Sequence, residues 1–277
     1  MGRIIVEDFN LSRTLESGQF FNYFLLGNNK YAVIDGDSVF EIEQKNNKLF
    51  FRGNVSEEHI FHLFSLDAPY KDILDSISKD NHIRRAVYDY YGLRVMRQDL
   101  WQCTVSFICS AVSNVPRIRE NIISLSRLFG GYKAVGNRVF HTFPSFNRLK
   151  KLKEETIAKA GMGFRAKYVK SAAEWFSEGN WENLKGANHD KEREDLMEIK
   201  GVGRKIAECI CLFSLGFDDA FPVDVWIKRE MERLYFKGES IALWDIEDFG
   251  REYFGKYCGW AQQYLFHNAR TKTKTFS

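Results

Sequence analysis

Apolar residues near the N-terminus fall in short runs. These are Ile4-Ile5-Val6, Phe20 to Leu26, Tyr31 to Ile34, Val39 to Ile42 and Lys48 to Arg52. Gly27-Asn28-Asn29, Asp35-Gly36-Asp37 and Asn46-Asn47 separate them, and such residues accept the positive φ of tight hairpins. The pattern predicts an antiparallel sheet built from short hairpins. The period changes at Ser56-Glu57-Glu58, a helix start. Helical spacing then predicts helices over 57–65, 70–79, 81–91, 99–112, 116–130, 145–151, 154–160, 165–177, 190–198, 204–215, 224–236, 244–254 and 259–270. The expected fold class is α+β: an N-terminal antiparallel β-sheet domain, 1–92 with flanking helices, then a mostly α-helical region, 93–277. The tail from Thr271 to Thr275 is basic and expected to fray.

Leu196 to Arg229 organises the helical part. A polar helix ends in Ile199-Lys200-Gly201-Val202-Gly203, and a helical run follows from Arg204 to Leu215, with Gly216 as its stop. Gly201 and Gly203 allow a sharp turn and close approach to another surface, while Val202 anchors the turn. The free N–H groups of the second helix suit a phosphate. This is the sequence form of a helix–hairpin–helix, a grip on a DNA backbone that ignores sequence. Lys205 lies in the first turn, where a cation is electrostatically misplaced and, when desolvated, loses basicity, as an amine nucleophile must. Its bland alternative is a surface lysine or a phosphate contact. Asp224, in Phe221-Pro222-Val223-Asp224-Val225, reads as the N-cap of the next helix, and a cap alone is its bland alternative.

Charge sharpens this picture through its distribution. The net charge is only +3. Residues 1–92 hold 10 Lys and Arg against 14 Asp and Glu, net −4, whereas 93–277 hold 30 against 23, net +7. The basic excess lies with the hairpin, as a polyanionic partner favours. The five cysteines, Cys103, Cys109, Cys209, Cys211 and Cys258, show no disulfide framework or zinc spacing. No signal peptide or apolar run of membrane length is present, so an intracellular, reducing location is expected.

The run Gly201-Val202-Gly203-Arg204-Lys205-Ile206-Ala207-Glu208-Cys209-Ile210-Cys211, followed by Pro222-Val223-Asp224-Val225, resembles the 8-oxoguanine DNA glycosylase/lyases of the helix–hairpin–helix (HhH-GPD) superfamily. The resemblance continues through Ser17-Gly18-Gln19-Phe20, Arg97-Gln98-Asp99, Ser106-Phe107-Ile108-Cys109-Ser110, Gly163-Phe164-Arg165-Ala166-Lys167-Tyr168-Val169 and Gly259-Trp260-Ala261-Gln262. It implies two helical subdomains with the active-site cleft between them, Lys205 as nucleophile and Asp224 as its catalytic partner. It implies that Gly18 offers a carbonyl to the N7 proton of an oxidised purine, that Gln262 reads the base edge, and that Phe266 and Cys209 sandwich the base. Read without the family, Gly18 is a turn glycine and Phe266 a core residue. Arg117 and Arg165 match arginines that hold the unpaired cytosine, with phosphate contacts as the alternative, and Phe164 matches a wedge aromatic. Two positions depart from the pattern: Val112 stands where asparagine is common, and Trp226 where a histidine often follows the aspartate.

The implied activity is excision of 8-oxoguanine, preferentially opposite cytosine, through a lysine Schiff base followed by β-elimination. No cofactor is required. The resemblance admits a structural K+ or Na+ ion on the carbonyls of Met197, Ile199 and Val202. Without the four-cysteine loop of the endonuclease III branch, no iron–sulfur cluster is expected. The expected partner is double-stranded DNA containing an oxidised purine. The protein is expected to be a monomer without membrane association, nucleoid-associated in a prokaryotic cytoplasm or nuclear in a eukaryote. Two rivals share the scaffold. A monofunctional glycosylase for alkylated bases needs no amine, against which Lys205 argues. A non-catalytic DNA-binding protein needs neither Asp224 nor the set Gly18, Gln262 and Phe266.

Overall fold

The computed structural model describes residues 2–184 and 186–274. The chain opens with strand β1 (Gly2–Ile5), a short helix α1 (Leu11–Leu15), and the meander β2 (Tyr23–Gly27), β3 (Lys30–Asp35), β4 (Ser38–Lys45) and β5 (Lys48–Asn54). All pairings are antiparallel in the order β1-β5-β4-β3-β2, so the first strand closes the edge beside the last. Asn29, Gly36 and Asn46 supply the expected positive φ at the three hairpin turns, +51°, +57° and +53°.

Both faces of the central strands are covered. On one, Tyr31, Val33, Phe40, Ile42 and Leu49 meet Leu11 and Leu15 of α1 and Ile60 and Leu63 of α2 (Glu57–Leu63). On the other, Ala32, Ile34 and Val39 meet Val135 and Phe140. These two belong to a second hairpin, β6 (Tyr132–Val135) and β7 (Arg138–His141), which the hydrophobic pattern did not predict. Arg138 pins it to the first sheet through buried Glu41, 3.1 Å away, which also pairs with Lys30 and Arg52.

The remaining helices are α3 (Tyr70–Ile77), α4 (Asn81–Asp89), α5 (Leu100–Ile108), α6 (Val115–Phe129), α7 (Phe146–Lys150), α8 (Glu154–Ile157), α9 (Ala166–Ser177), α10 (His189–Met197), α11 (Arg204–Ile210), α12 (Val225–Tyr235), α13 (Leu243–Phe254) and α14 (Cys258–Lys274). Side chains of Ser56, Asp80, Asp99, Asn114, Asn188 and Asp224 cap helix N-termini, each satisfying a first-turn N–H. Helices α5 to α11 pack as one group, with α5 against α9 and α11; α12, α13 and α14 form another, joined by α3 and α4. One apolar core runs through both groups. Although α3 and α4 precede residue 92, Ile73, Ile77 and Ile83 are buried in this core, and Tyr70 shares a 2.8 Å hydroxyl hydrogen bond with Tyr264 of α14. Those two helices belong to the helical mass, not to the flank of the sheet where they were expected.

Two other expectations need correction. The helix expected over 99–112 ends at Ile108, and the chain turns out to reach Val112 at φ +50°. The last helix continues to Lys274 instead of fraying from Thr271; Thr275 lies outside the described residues.

Candidate active site and nucleic-acid interface

The hairpin joins α10 to α11. Gly201 has φ +92°, and a Cβ there would lie 2.4 Å from the ring of Tyr168. Both the conformation and the packing therefore demand glycine. Val202 is buried beneath the turn, whereas a Cβ on Gly203 would meet nothing within 4 Å. Gly203 is the N-cap of α11 and brings no capping side chain. The first N–H groups of the helix thus lack a side-chain acceptor, as a phosphate-binding end requires. The Ile199 carbonyl accepts the Val202 N–H at 2.9 Å and closes the turn.

Lys205 lies half-buried in the first turn of α11 and faces α5. Its Nζ donates to Ser110 Oγ at 3.0 Å and sits 5.5 Å from the centre of the Phe107 ring. Ser110 in turn donates to the Phe107 carbonyl. Cys209, one turn along, packs beside the amine; burial pushes its thiol up to about 12, against the pull of Lys205, so it stands neutral. Asp224 caps α12, accepting the Ile227 N–H at 2.8 Å. Burial raises its carboxyl above the ordinary aspartate value, opposed by the charge of Lys205 and by the N–H groups of Ile227 and Trp226. Asp224 is therefore a cap and an electrostatic partner of Lys205 at once. The two residues lie at the starts of successive helices that belong to different helical groups.

The residues expected around the base gather near this pair. Gly18 is buried at φ +90°, where a Cβ would lie 3.1 Å from the Phe266 ring. Phe266 lies one turn from Gln262 on α14. Gln262 is 4 % exposed; its Nε2 donates to the Pro222 carbonyl at 2.9 Å, while its Oε1 has no hydrogen-bond partner among the described residues. A buried, unpaired amide oxygen two residues from the Asp224 loop is an acceptor awaiting a donor. Sequence reasoning did not single out Ser110, which aims the Lys205 amine, or Arg270, whose guanidinium would lie 3.2 Å from a Gly18 Cβ and sits 5.8 Å from the centre of the Phe266 ring. Arg270 follows Phe266 by four, so helical spacing could have found it. Two surface cavities of about 360 and 480 Å³ include none of Lys205, Asp224, Gln262 or Phe266.

The residues expected to face the opposite strand differ in kind. Val112 is 91 % exposed and holds a left-handed conformation that β-branched residues rarely adopt. Phe164 is 53 % exposed. Arg117 is exposed in the first turn of α6, and its guanidinium has no hydrogen bond or ion pair with the described residues. Arg165 is only 3 % exposed: Nε donates to the Ala111 carbonyl at 2.8 Å, Nη2 to the Val112 carbonyl at 2.8 Å, and Nη1 to Met162 at 3.5 Å. Its fork holds the turn that carries Val112. Of the two arginines expected to meet a cytosine, Arg117 thus presents its fork unengaged by the described residues, whereas the fork of Arg165 is engaged by backbone carbonyls.

Comparison with known proteins places the chain among base excision DNA repair proteins. The profile of the 8-oxoguanine DNA glycosylase N-terminal domain matches residues 3–104, and that of the HhH-GPD superfamily of base excision DNA repair proteins matches 105–243. A probable N-glycosylase/DNA lyase of Methanothermobacter thermautotrophicus is 29% identical over 97% of this chain and 96% of its own length. The Saccharomyces cerevisiae N-glycosylase/DNA lyase is 29% identical over 86% of this chain and 73% of its own. Among solved structures, MBOgg1 bound to a low-affinity DNA ligand superposes with a TM-score of 0.93 at 36% identity, covering 98% of this chain and 96% of that one. The Clostridium acetobutylicum 8-oxoguanine glycosylase/lyase, in complex with DNA carrying cytosine opposite the lesion, gives 0.90 at 32% identity over 99% of each chain. Fold, hairpin and lysine–aspartate pair define a helix–hairpin–helix DNA repair glycosylase. The chain belongs to the 8-oxoguanine DNA glycosylase family of the HhH-GPD superfamily and is a DNA glycosylase/lyase.

Proposed function

We propose that this enzyme excises 8-oxoguanine, with a preference for cytosine in the opposite strand, through a Schiff base on Lys205, and then cleaves the strand by β-elimination. The observation that carries this reading is the convergence of the Lys205 amine, held on Ser110, with the half-buried carboxylate of Asp224. The target nucleotide leaves the stack, paying for unstacking with contacts in the cleft. Gly18 offers its carbonyl to the N7 proton of the oxidised base, the unpaired Gln262 Oε1 accepts from the base edge, and Phe266 stacks. Asp224 stabilises positive charge on the sugar as the glycosidic bond breaks, an electrostatic role that a half-buried carboxylate performs better than an exposed one. The Lys205 nitrogen bonds to C1′ and the base departs with the electron pair of the broken bond. Opening of the sugar ring at O4′ leaves an imine. The imine draws electrons from the C2′–H bond, and the 3′ phosphate is expelled.

The hairpin N–H groups hold a backbone phosphate, and a K+ or Na+ ion on the carbonyls of Met197, Ile199 and Val202 would add positive charge there. No organic or redox cofactor enters the chemistry. The enzyme acts as a monomer on duplex DNA, in the nucleoid region of a prokaryote or the nucleus of a eukaryote; no described helix is long and apolar enough to cross a membrane. Arg117 is the fork that meets the O2 and N3 acceptors of the unpaired cytosine. Single-turnover excision on duplexes that differ only opposite the lesion tests this. Cytosine is expected to exceed adenine by about 5- to 150-fold, the effect of one mismatched base contact. Equal rates for the two would contradict it.

A further inference from the structure

A second carboxylate ties the two halves of the catalytic pair together. Glu208 lies on α11, three residues beyond Lys205, and is 0 % exposed. Its Oε2 accepts the Phe221 N–H at 2.9 Å, the main chain three residues before Asp224. Its Oε1 faces Arg193 Nη1 at 3.3 Å and His189 Nε2 at 3.0 Å, both on α10. The histidine contact is an ion pair between the imidazolium and the carboxylate. His189 Nδ1 lies 3.4 Å from Asp219, which Arg251 of α13 approaches at 3.5 Å. Burial alone would raise the Glu208 carboxyl, yet His189, the Phe221 N–H and Arg193 together hold it below the ordinary glutamate range.

The segment that Glu208 grips crosses from one helical group to the other. The Phe221 ring is buried and stacks on Phe254 of α13 at 6.3 Å, and a Cβ on Gly250 would lie 2.6 Å from it. Pro222 is held at its carbonyl by Gln262, and Asp224 by its cap. The crossover is thus fastened at Phe221, Pro222 and Asp224. Glu208 is its only direct link to the helix that carries Lys205 among the hydrogen bonds of these described residues. An ion buried this deeply is expensive unless a fixed geometry compensates it.

We propose that Glu208, held by His189 and Arg193, is a positioning residue that sets the placement of Asp224 against Lys205. The inference rests on the glycosylase/lyase reading of that pair. Departure of the base needs the Asp224 carboxylate beside the sugar, whereas condensation of Lys205 with an existing abasic aldehyde involves no base departure. Loosening the brace therefore slows the first step more than the second.

The test compares Glu208→Gln with wild type on two duplexes, one with 8-oxoguanine opposite cytosine and one with a preformed abasic site. The glutamine cannot accept both from Phe221 and from the α10 cations without setting donor against donor. Base excision in single turnover is expected to fall 10- to 100-fold, while borohydride trapping on the abasic duplex stays within threefold. His189→Gln keeps the Phe221 contact and Arg193, and is expected to show the same imbalance at 3- to 10-fold. It decides the matter if Glu208→Gln does not fold. Equal losses in both steps, or no loss in excision by a folded variant, would overturn the proposal. Failure of the wild type itself to excise or to trap would instead remove the glycosylase reading beneath it.

Discussion

Replacing Arg165 with methionine separates two roles that an arginine at this position could have. The side chain keeps its volume in a buried site but loses the donors to Ala111, Val112 and Met162. Each buried carbonyl left unpaired costs about 1–3 kcal/mol, and the Ala111 carbonyl loses its partner outright. The contact between the guanidinium and the Phe164 ring, 4.8 Å to its centre, disappears as well. Against this, the turn is freed to relax the left-handed Val112, a conformation that costs on the order of 1–3 kcal/mol. The net loss is then about 1–3 kcal/mol, a fall in Tm of roughly 3–10 °C for a chain of this size. Calorimetry reads the stability, and single-turnover excision opposite cytosine and adenine reads the discrimination. A clamp predicts a lower Tm and slower excision on both duplexes with their ratio preserved within about threefold, whereas Arg117→Ala erodes the ratio itself. Should Arg165→Met leave Tm within 1 °C (roughly the effect of a few tenths of a kcal/mol) and abolish the preference for cytosine, the fork reads the base and the clamp argument fails.

Other consequences follow from the same contacts. Val112→Asn places a residue tolerant of positive φ in the turn and is expected to raise Tm by roughly 1–3 °C, read by calorimetry; a fall would mean that the valine side chain supports the turn. Asp224→Asn keeps an acceptor for the Ile227 N–H, so Tm should hold or rise slightly, because burial makes the charged carboxylate costly in the folded state. The rate should drop by orders of magnitude. Because the folded pKa of Asp224 is raised, wild-type excision should fail on the acid side at a pH above the ordinary aspartate value of about 3.9. An acid limb at or below that value in the pH–rate profile would contradict the assignment. Burial pulls His189 down, but Asp219, Cys211 and Glu208 prevail and push it up to about 11. Its stabilisation is complete below the unfolded value of about 6.5 and is lost as pH rises toward 11, with a slope of up to about 1.4 kcal/mol per pH unit. Denaturant titrations between pH 7 and 10 should show this decline in wild type and a flatter one in His189→Gln.

Local rules carried much of this site. Glycines two apart, a lysine in the first helical turn and an aspartate after proline were each legible because hairpin, helix end and cap are short-range structures. The helix start at Asp224 was legible for the same reason. What escaped depends on distant partners. The hairpin β6–β7 carries a Gly136-Asn137 turn signal, but its strands are only four residues long, and they are held by a face of the first sheet some hundred positions away in sequence. Helices α3 and α4 sit beside the sheet in sequence, yet their apolar faces find α14. Arg165 follows an exposed aromatic and reads as a surface residue; only the fold reveals the carbonyls of Ala111 and Val112 beneath it. The same contact explains why the helix expected to reach 112 stops at Ile108: the chain leaves the helical path and Arg165 holds the departure. Glu208 looks like one more polar position on α11, and nothing nearby in sequence announces its partners on α10 and in the crossover.

The claim that Lys205 forms a covalent imine with the damaged nucleotide is tested most directly by borohydride trapping on a duplex containing 8-oxoguanine opposite cytosine, with wild type and Lys205→Gln side by side. Loss of the amine removes its bond to Ser110 without touching the hairpin glycines or the Asp224 cap, so the variant should still bind the duplex. The account predicts a trapped protein–DNA adduct with wild type and none with Lys205→Gln, together with loss of base release. An adduct of equal yield from Lys205→Gln would contradict it.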